Sequence, residues 1–201
     1  SRLLGALGRA SGPVLDLEEL AAHRGSVLGN LPDRPQPSQK MFESALLQEL
    51  SNLPGERPVF VEGESKKIGE LQVPEALMAR MRGSPCVVLE TALEARVDLL
   101  LDEYRHFVAD RSALDRQLDC LVALHGRGRI AEWKALAARG EWREFVARLL
   151  VEHYDPAYRR SSQRNFIHLS DAVKVSVSSA DEAAFARAAG ALLGASAAVA
   201  A

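Results

Sequence analysis

The chain has 201 residues, 47% hydrophobic and 26% charged, with a formal net charge of −2, the composition of a soluble globular protein, long enough for one substantial core or for a core plus a small helical annex. The near balance of charge excludes an overall cationic field, so nucleic-acid binding would have to come from a local basic patch. No apolar run approaches the roughly 20 residues that cross a bilayer, nothing at the start resembles a signal peptide, and Cys86 and Cys120 lack the spacing of a zinc site or disulfide framework; the chain reads as cytoplasmic with no membrane partner.

Leu3, Leu4 and Leu7 share one helical face immediately after Ser1, with no capping segment before it. Pro13 to Leu17 (PVLDL) reads as a short buried strand ending near Asp16, followed by a short helix to His23. His23 to Gly29 (HRGSVLG) and the proline-rich Asn30 to Pro37 form a long loop, and such loops often carry function. Ser38 is placed to cap a helix striped with Phe42, Leu46 and Leu50, which Pro54 and Gly55 end.

The central stretch is PVFVEGESKKIG, Pro58 to Gly69. Val59, Phe60 and Val61 are too short a run for a helix and read as a buried strand. Glu62 stands at its carboxyl end, where ligands bind in open α/β sheets. Glu64, Ser65, Lys66 and Lys67 follow as a turn within reach of a phosphate, or as an ordinary solvated turn with the lysines pairing Glu62 and Glu64.

Pro74 opens a short helix to Met81, and Pro85 to Glu90 reads as another buried strand holding Cys86. Thr91 and Glu94 have capping-box spacing before a helix striped with Leu93, Val97, Leu100, Tyr104 and Phe107. From Arg111 to about Tyr154 only helical periodicity is present, interrupted by turns at His125 to Arg129 and at Gly140. Tyr154 to Phe166 reads as a loop or broken helix whose Arg159, Arg160 and Arg164 form an anion-binding patch, or a solvated helix end. Ala172 to Val177 alternates as a strand, Ser179 and Glu182 suggest a second capping box, and an alanine-rich helix runs to about Leu193. His23 is read as a cap or surface group, and His106, His125, His153 and His168 are dispersed and motif-free.

Strands alternating with helices, one ending in a carboxylate, resemble an α/β P-loop NTPase domain of the kinase-like, three-layer type. That likeness implies a parallel sheet whose first, central strand is missing, with unpaired edges at the strands ending in Glu62 and Glu90, and a helical insertion. Residues 1–110 would form the core, 111–169 the insertion or lid, 170–193 the last strand and helix, and 194–201 a frayed tail. Ser1 would be the hydroxyl residue ending a phosphate loop that lies upstream, and the chain a segment of a longer protein.

A more specific resemblance covers nearly the whole chain. VLDLE (Val14 to Glu18), HRGSVLG (His23 to Gly29), PQPSQKMFES (Pro35 to Ser44), VFVEGESKKIG (Val59 to Gly69) and HYDPAYRRS (His153 to Ser161) are similar to the bacterial tRNA 2-selenouridine synthase family, also called tRNA geranyl-2-thiouridine synthases. The resemblance implies a cytoplasmic transferase acting on tRNA with wobble 2-thiouridine. Geranyl diphosphate alkylates the sulfur, and selenophosphate then replaces the geranylthio group with selenium. It also implies an amino-terminal rhodanese domain, whose cysteine lies outside this chain, so that catalytic residues are not assigned here and the segment alone is expected to be inactive. The diphosphate cradle would draw on Ser1, Arg24, Lys66, Lys67, Arg159 and Arg160, Mg²⁺ on Glu62 or Asp16, and tRNA on Lys40, Lys66, Lys67 and Arg164. Phe42, Tyr154 and Tyr158 would give apolar or stacking surface, or core. Two other readings remain: a P-loop kinase or ATPase, with Asp16 orienting an acceptor hydroxyl and Arg159 or Arg160 on the transferred phosphoryl group, and a tRNA-binding module serving the rhodanese domain.

Overall fold

A computed structural model describes residues 2–55, 57–63 and 65–199. In chain order the elements are α1 (Arg2–Arg9), β1 (Val14–Leu15), α2 (Leu17–Ala21), α3 (Gln39–Asn52), β2 (Phe60–Val61), β3 (Lys67–Ile68), β4 (Leu71–Gln72), α4 (Glu75–Arg82), β5 (Val87–Thr91), α5 (Leu93–Glu103), α6 (Arg105–Ala109), α7 (Arg111–Asp119), α8 (Val122–Ala138), α9 (Trp142–Leu149), a π-helical turn (Leu150–Tyr154), α10 (Asp155–Asn165), β6 (Val173–Val177) and α11 (Glu182–Val199). They fall into two compact units, Ser1–Glu90 with Asn165–Ala201, and Thr91–Arg164. Ser1 and Glu64 lie outside the described residues.

The first unit is α/β, but its strands form three two-stranded sheets, β1 with β2, β3 with β4 and β5 with β6, where one parallel sheet was expected. The parallel pairing is present at β1 and β2, with Val14 opposite Phe60 and Leu15 opposite Val61. Both strands are brief because the chain turns into a helix or loop directly after Asp16 and Glu62. Among the described residues β2 and β5 each have a strand partner on one side only. The β3–β4 hairpin was not expected from the sequence. Gly69, at φ +59°, makes its tight turn, and Ile68 and Leu71 pair across it.

The hairpin forms because its apolar residues complete the core. Ile68, Leu71 and Val73 bury against Leu15, Leu17, Phe42, Leu46 and Met78. Each such side chain contributes about 1.5–3 kcal/mol relative to full exposure. Ser38 caps α3 as expected, its hydroxyl accepting the Met41 N–H, but Leu50 on the anticipated stripe is 40% exposed. The second anticipated capping box gives way to Asp181, whose carboxylate accepts the Ala184 N–H at 2.7 Å and the Ser179 hydroxyl at 2.6 Å. α11 continues past Leu193 to Val199. It packs against α1, with Arg9 reaching Glu182 at 3.1 Å. Cys86, expected in the core, is a half-buried free thiol directly before β5.

The second unit is all helical and is cored by Leu114, Leu118, Ile130, Trp133, Phe145 and Leu149. No side chain caps α5: the expected Thr91–Glu94 box is absent, Ala92 holds the cap position, and Glu94 accepts from Arg143. The HGRGR segment interrupts the helix where a turn was expected: Gly126, at φ 79° and ψ 158°, is non-helical, so α8 is two helical stretches meeting at a kink. Tyr154 to Phe166, expected as a loop or broken helix, is largely the helix α10, entered through the π turn. Pro156 explains that turn. Lacking an N–H and clashing with the preceding turn, it breaks the regular helical ladder, and the helix widens locally instead of ending. A bidentate Arg96–Asp155 pair, about two-thirds buried on both sides, holds the junction.

Candidate functional site

Because β1 and β2 run parallel and in register, the residues that follow them leave the sheet side by side. They are Asp16 and Glu62. Asp16 is the N-cap of α2, its Oδ1 accepting the Glu19 N–H at 2.8 Å. Glu62 reaches the same helix from the neighbouring strand, its Oε2 accepting the Leu17 N–H at 3.0 Å. The two carboxyls are also hydrogen-bonded to each other. Burial, then the hydrogen bond and the charge of Asp16, push the Glu62 carboxyl up to about 8. Two carboxylates this close cannot both ionise freely, so at neutral pH the pair holds a proton.

The helix that this pair caps ends at Ala22 in the left-handed region, and the chain enters the 23–30 loop. His23, expected as a cap or surface group, is only 5% exposed; its N–H closes the end of α2 on the Glu18 carbonyl at 3.0 Å, and it forms an isolated antiparallel bridge with Asn30. Its Nδ1 accepts the Gly25 N–H at 3.1 Å, which leaves the ring proton of the neutral imidazole on Nε2. Burial lowers its pKa, the charge of Glu70 opposing in part. Two glycines enclose the ring: a Cβ at Gly29 would stand 2.8 Å from His23 Cε1, and one at Gly69 2.8 Å from Cδ2.

Two glutamines fasten this loop to the hairpin. Gln36 Nε2 donates to the carbonyls of Ala21 and Ile68, both at 3.1 Å, and its Oε1 accepts the Glu70 N–H at 2.8 Å. Gln39 pairs with the Gln72 backbone like an added strand residue, at 2.7 and 2.9 Å. No charge pattern or ligand spacing marks His23, Gln36 and Gln39 as positioning groups, and the only signal in the sequence is glycine beside histidine. The expected cations are dispersed around this frame. Arg24 is half-buried on the loop and Lys40 exposed on α3. Lys66 pairs with Glu75 at 2.9 Å and Lys67 with Glu70 at 3.5 Å, where a pairing with Glu62 was one alternative.

The helical unit holds a second cluster. His125 and His153, dispersed in the sequence, meet with Nε2 and Nδ1 3.0 Å apart, beside Trp133 and Tyr154. Burial, with the charges of His125 and Arg160, lowers His153 to about 4. Arg159, Arg160 and Arg164 are exposed on α10.

Asp16 and Glu62 together offer only oxygen donors, the set suited to a hard cation such as Mg²⁺, which takes one or two carboxylates and fills its sphere with water and phosphate oxygens. Among the described residues no group of three or more His, Cys, Asp or Glu is arranged to hold a metal. Any Mg²⁺ at this pair would therefore draw its remaining ligands from substrate and water. No helix among the described residues is long and apolar enough to cross a membrane.

The paired carboxyls of this α/β unit stand at the carboxyl ends of adjacent parallel strands, the edge at which open α/β sheets bind ligands. The family profile described as "tRNA 2-selenouridine synthase AAA domain" matches residues 2–121, and the chain belongs to that family. Relatives named tRNA 2-selenouridine synthase include the protein of Alcanivorax borkumensis, 33% identical over 72% of this chain and 47% of its own length. That of Cupriavidus pinatubonensis is 33% identical over 75% of this chain and 48% of its own length. The Bdellovibrio bacteriovorus protein is 40% identical over 46% of this chain and 25% of its own length. The chain thus spans at most about half the length of these relatives. No solved structure matches.

Proposed function

We propose that this chain is the phosphate-handling part of a tRNA-modifying transferase that geranylates wobble 2-thiouridine and then exchanges its sulfur for selenium. The observation that carries the reading is the Asp16–Glu62 pair at the carboxyl ends of β1 and β2, in a chain of the selenouridine synthase family. The core is read as a P-loop domain of the kinase-like type, with residues 111–169 as its helical insertion.

In the first stage the thiouridine sulfur attacks C1 of geranyl diphosphate. A C–S bond forms, the C–O bond to the diphosphate breaks, and the base loses its N3 proton. The diphosphate leaves with added negative charge, which preorganised cations stabilise. Arg24, Lys66 and Lys67 are assigned to that charge. Mg²⁺, bound by Asp16 and Glu62, would supply further charge neutralisation at the diphosphate. The second stage, with selenophosphate, is assigned to cooperation with an amino-terminal rhodanese domain that provides a cysteine. Arg159 and Arg160 supply positive charge for an anion met by the helical unit.

Competition between geranyl diphosphate and ATP tests the reading, measured with and without Mg²⁺ in wild type, Asp16→Asn and Glu62→Gln. Geranyl diphosphate is expected to bind in preference, with a Mg²⁺ dependence that falls at least about tenfold in each variant. Tight ATP binding with no response to geranyl diphosphate would replace the reading by a kinase or ATPase. Binding of tRNA but of neither small ligand would leave a tRNA-binding module.

A further inference from the structure

No residue of α10 is fully buried. It carries three arginines and one acidic residue, Asp155, which Arg96 engages through both oxygens. Four other arginines of the helical unit are neutralised: Arg129 by Glu132 and Glu152, Arg139 by Glu141, Arg143 by Glu94 and Asp98, and Arg148 by Glu144. Among the described residues, Arg159, Arg160 and Arg164 have no carboxylate within ion-pair distance. On a regular helix Arg159, Arg160, Gln163 and Arg164 share an arc of about 140° and about 7.5 Å of axis. All four are exposed. Tyr158, one residue before, is 48% exposed and lies against Tyr154 with ring centroids 6.3 Å apart.

We propose that this face of α10 is an RNA-backbone contact surface, with Arg159, Arg160 and Arg164 on phosphates and Gln163 hydrogen-bonding between them. The inference rests on the tRNA-modifying reading above and names the anion that these arginines meet. Exposure decides between a small diphosphate and a polyanion. A lone diphosphate on solvated guanidiniums gains little, because water and salt screen each contact. An RNA strand touching several of them at once releases condensed counterions at every phosphate neutralised, and that gain persists on an open surface. Guanidiniums suit phosphate oxygens, because their planar fork of donors matches them.

The test is a salt series of tRNA affinity, by fluorescence anisotropy, for wild type and for Arg159→Gln with Arg160→Gln and Arg164→Gln. The triple variant is expected to lose at least about tenfold in affinity at low salt and about 2 to 3 from the slope of log affinity against log salt. The triple lysine variant should keep most of the slope, and Arg105→Gln, whose guanidinium Asp102 holds, should leave it unchanged. Each single glutamine variant should lose about one from the slope, a readout that survives if the triple variant does not fold. A wild-type slope in the triple glutamine variant would overturn the inference alone. An unchanged tRNA slope with lost pyrophosphate binding would also overturn it, returning the arginines to a small diphosphate. Absence of tRNA binding in the wild type would overturn the tRNA-modifying reading and this inference with it.

Discussion

Asp16 and Glu62, far apart in the chain, meet carboxyl to carboxyl because Leu15 and Val61 are register partners in two parallel strands. The pairing has a measurable consequence for stability. A carboxyl at about 8 in the folded chain and 4.5 in a free one makes the folded state the better proton binder between those values. Stability therefore falls as pH rises across that window and levels off above it. In buffer without divalent cations, the thermal midpoint of the wild type should drop by several degrees from pH 5 to 8.5. Glu62→Gln, which cannot ionise, should flatten this dependence, and an equal drop in the variant would refute the assignment.

Gln36 makes three hydrogen bonds to backbone groups of α2, β3 and the hairpin turn. Gln36→Ala removes all three partners at once and should cost about 1–3 kcal/mol in urea unfolding. Gln36→Glu should cost more, since a carboxylate would face the carbonyls of Ala21 and Ile68 without a proton to donate. Indifference to both changes would show that the loop and hairpin are held by apolar contacts alone.

Gly69 combines φ +59° with a packed surrounding, where an added Cβ would lie 2.1 Å from Gln36 Oε1. Gly69→Ala should destabilise by more than about 1 kcal/mol through backbone strain and displacement of Gln36. Gly55 supplies the contrast, as a Cβ there meets nothing within 4 Å. Chemical denaturation of Gly55→Ala should give a midpoint close to that of the wild type.

His153 is lowered from 6.5 to about 4. Between those values the unfolded chain binds the proton more readily, so stability rises with pH through that window and is lost on acidification. Both tryptophans, Trp133 and Trp142, lie in the helical unit, so their fluorescence reports its unfolding. Denaturant midpoints should fall from pH 7 to pH 4.5 in the wild type and fall less in His153→Gln. Parallel losses in the two proteins would place the acid sensitivity elsewhere.

Local pattern in the sequence was enough for the α/β character, the run of helices after Arg111 and the Ser38 cap, because each depends on neighbours within one or two turns. The strand before Glu62 was legible for the same reason, since a β-branched and aromatic run ended by a carboxylate needs no distant partner to be seen, but it is half-buried and paired on one side only, where a buried central strand was expected. The resemblance carried by VFVEGESKKIG and HRGSVLG also pointed to the family that the profile match bears out. Tertiary structure alone decided what those residues touch. Parallel register brought Asp16 to Glu62, core burial of Ile68 and Leu71 turned an expected basic turn into a hairpin, and Glu75 and Glu70 took up its lysines. Helix packing joined His125 to His153, and the π turn before Pro156 kept α10 helical, so that its arginines stand on one face. Periodicity records which side of an element is apolar, whereas contacts between distant residues depend on register and packing, which no single segment contains.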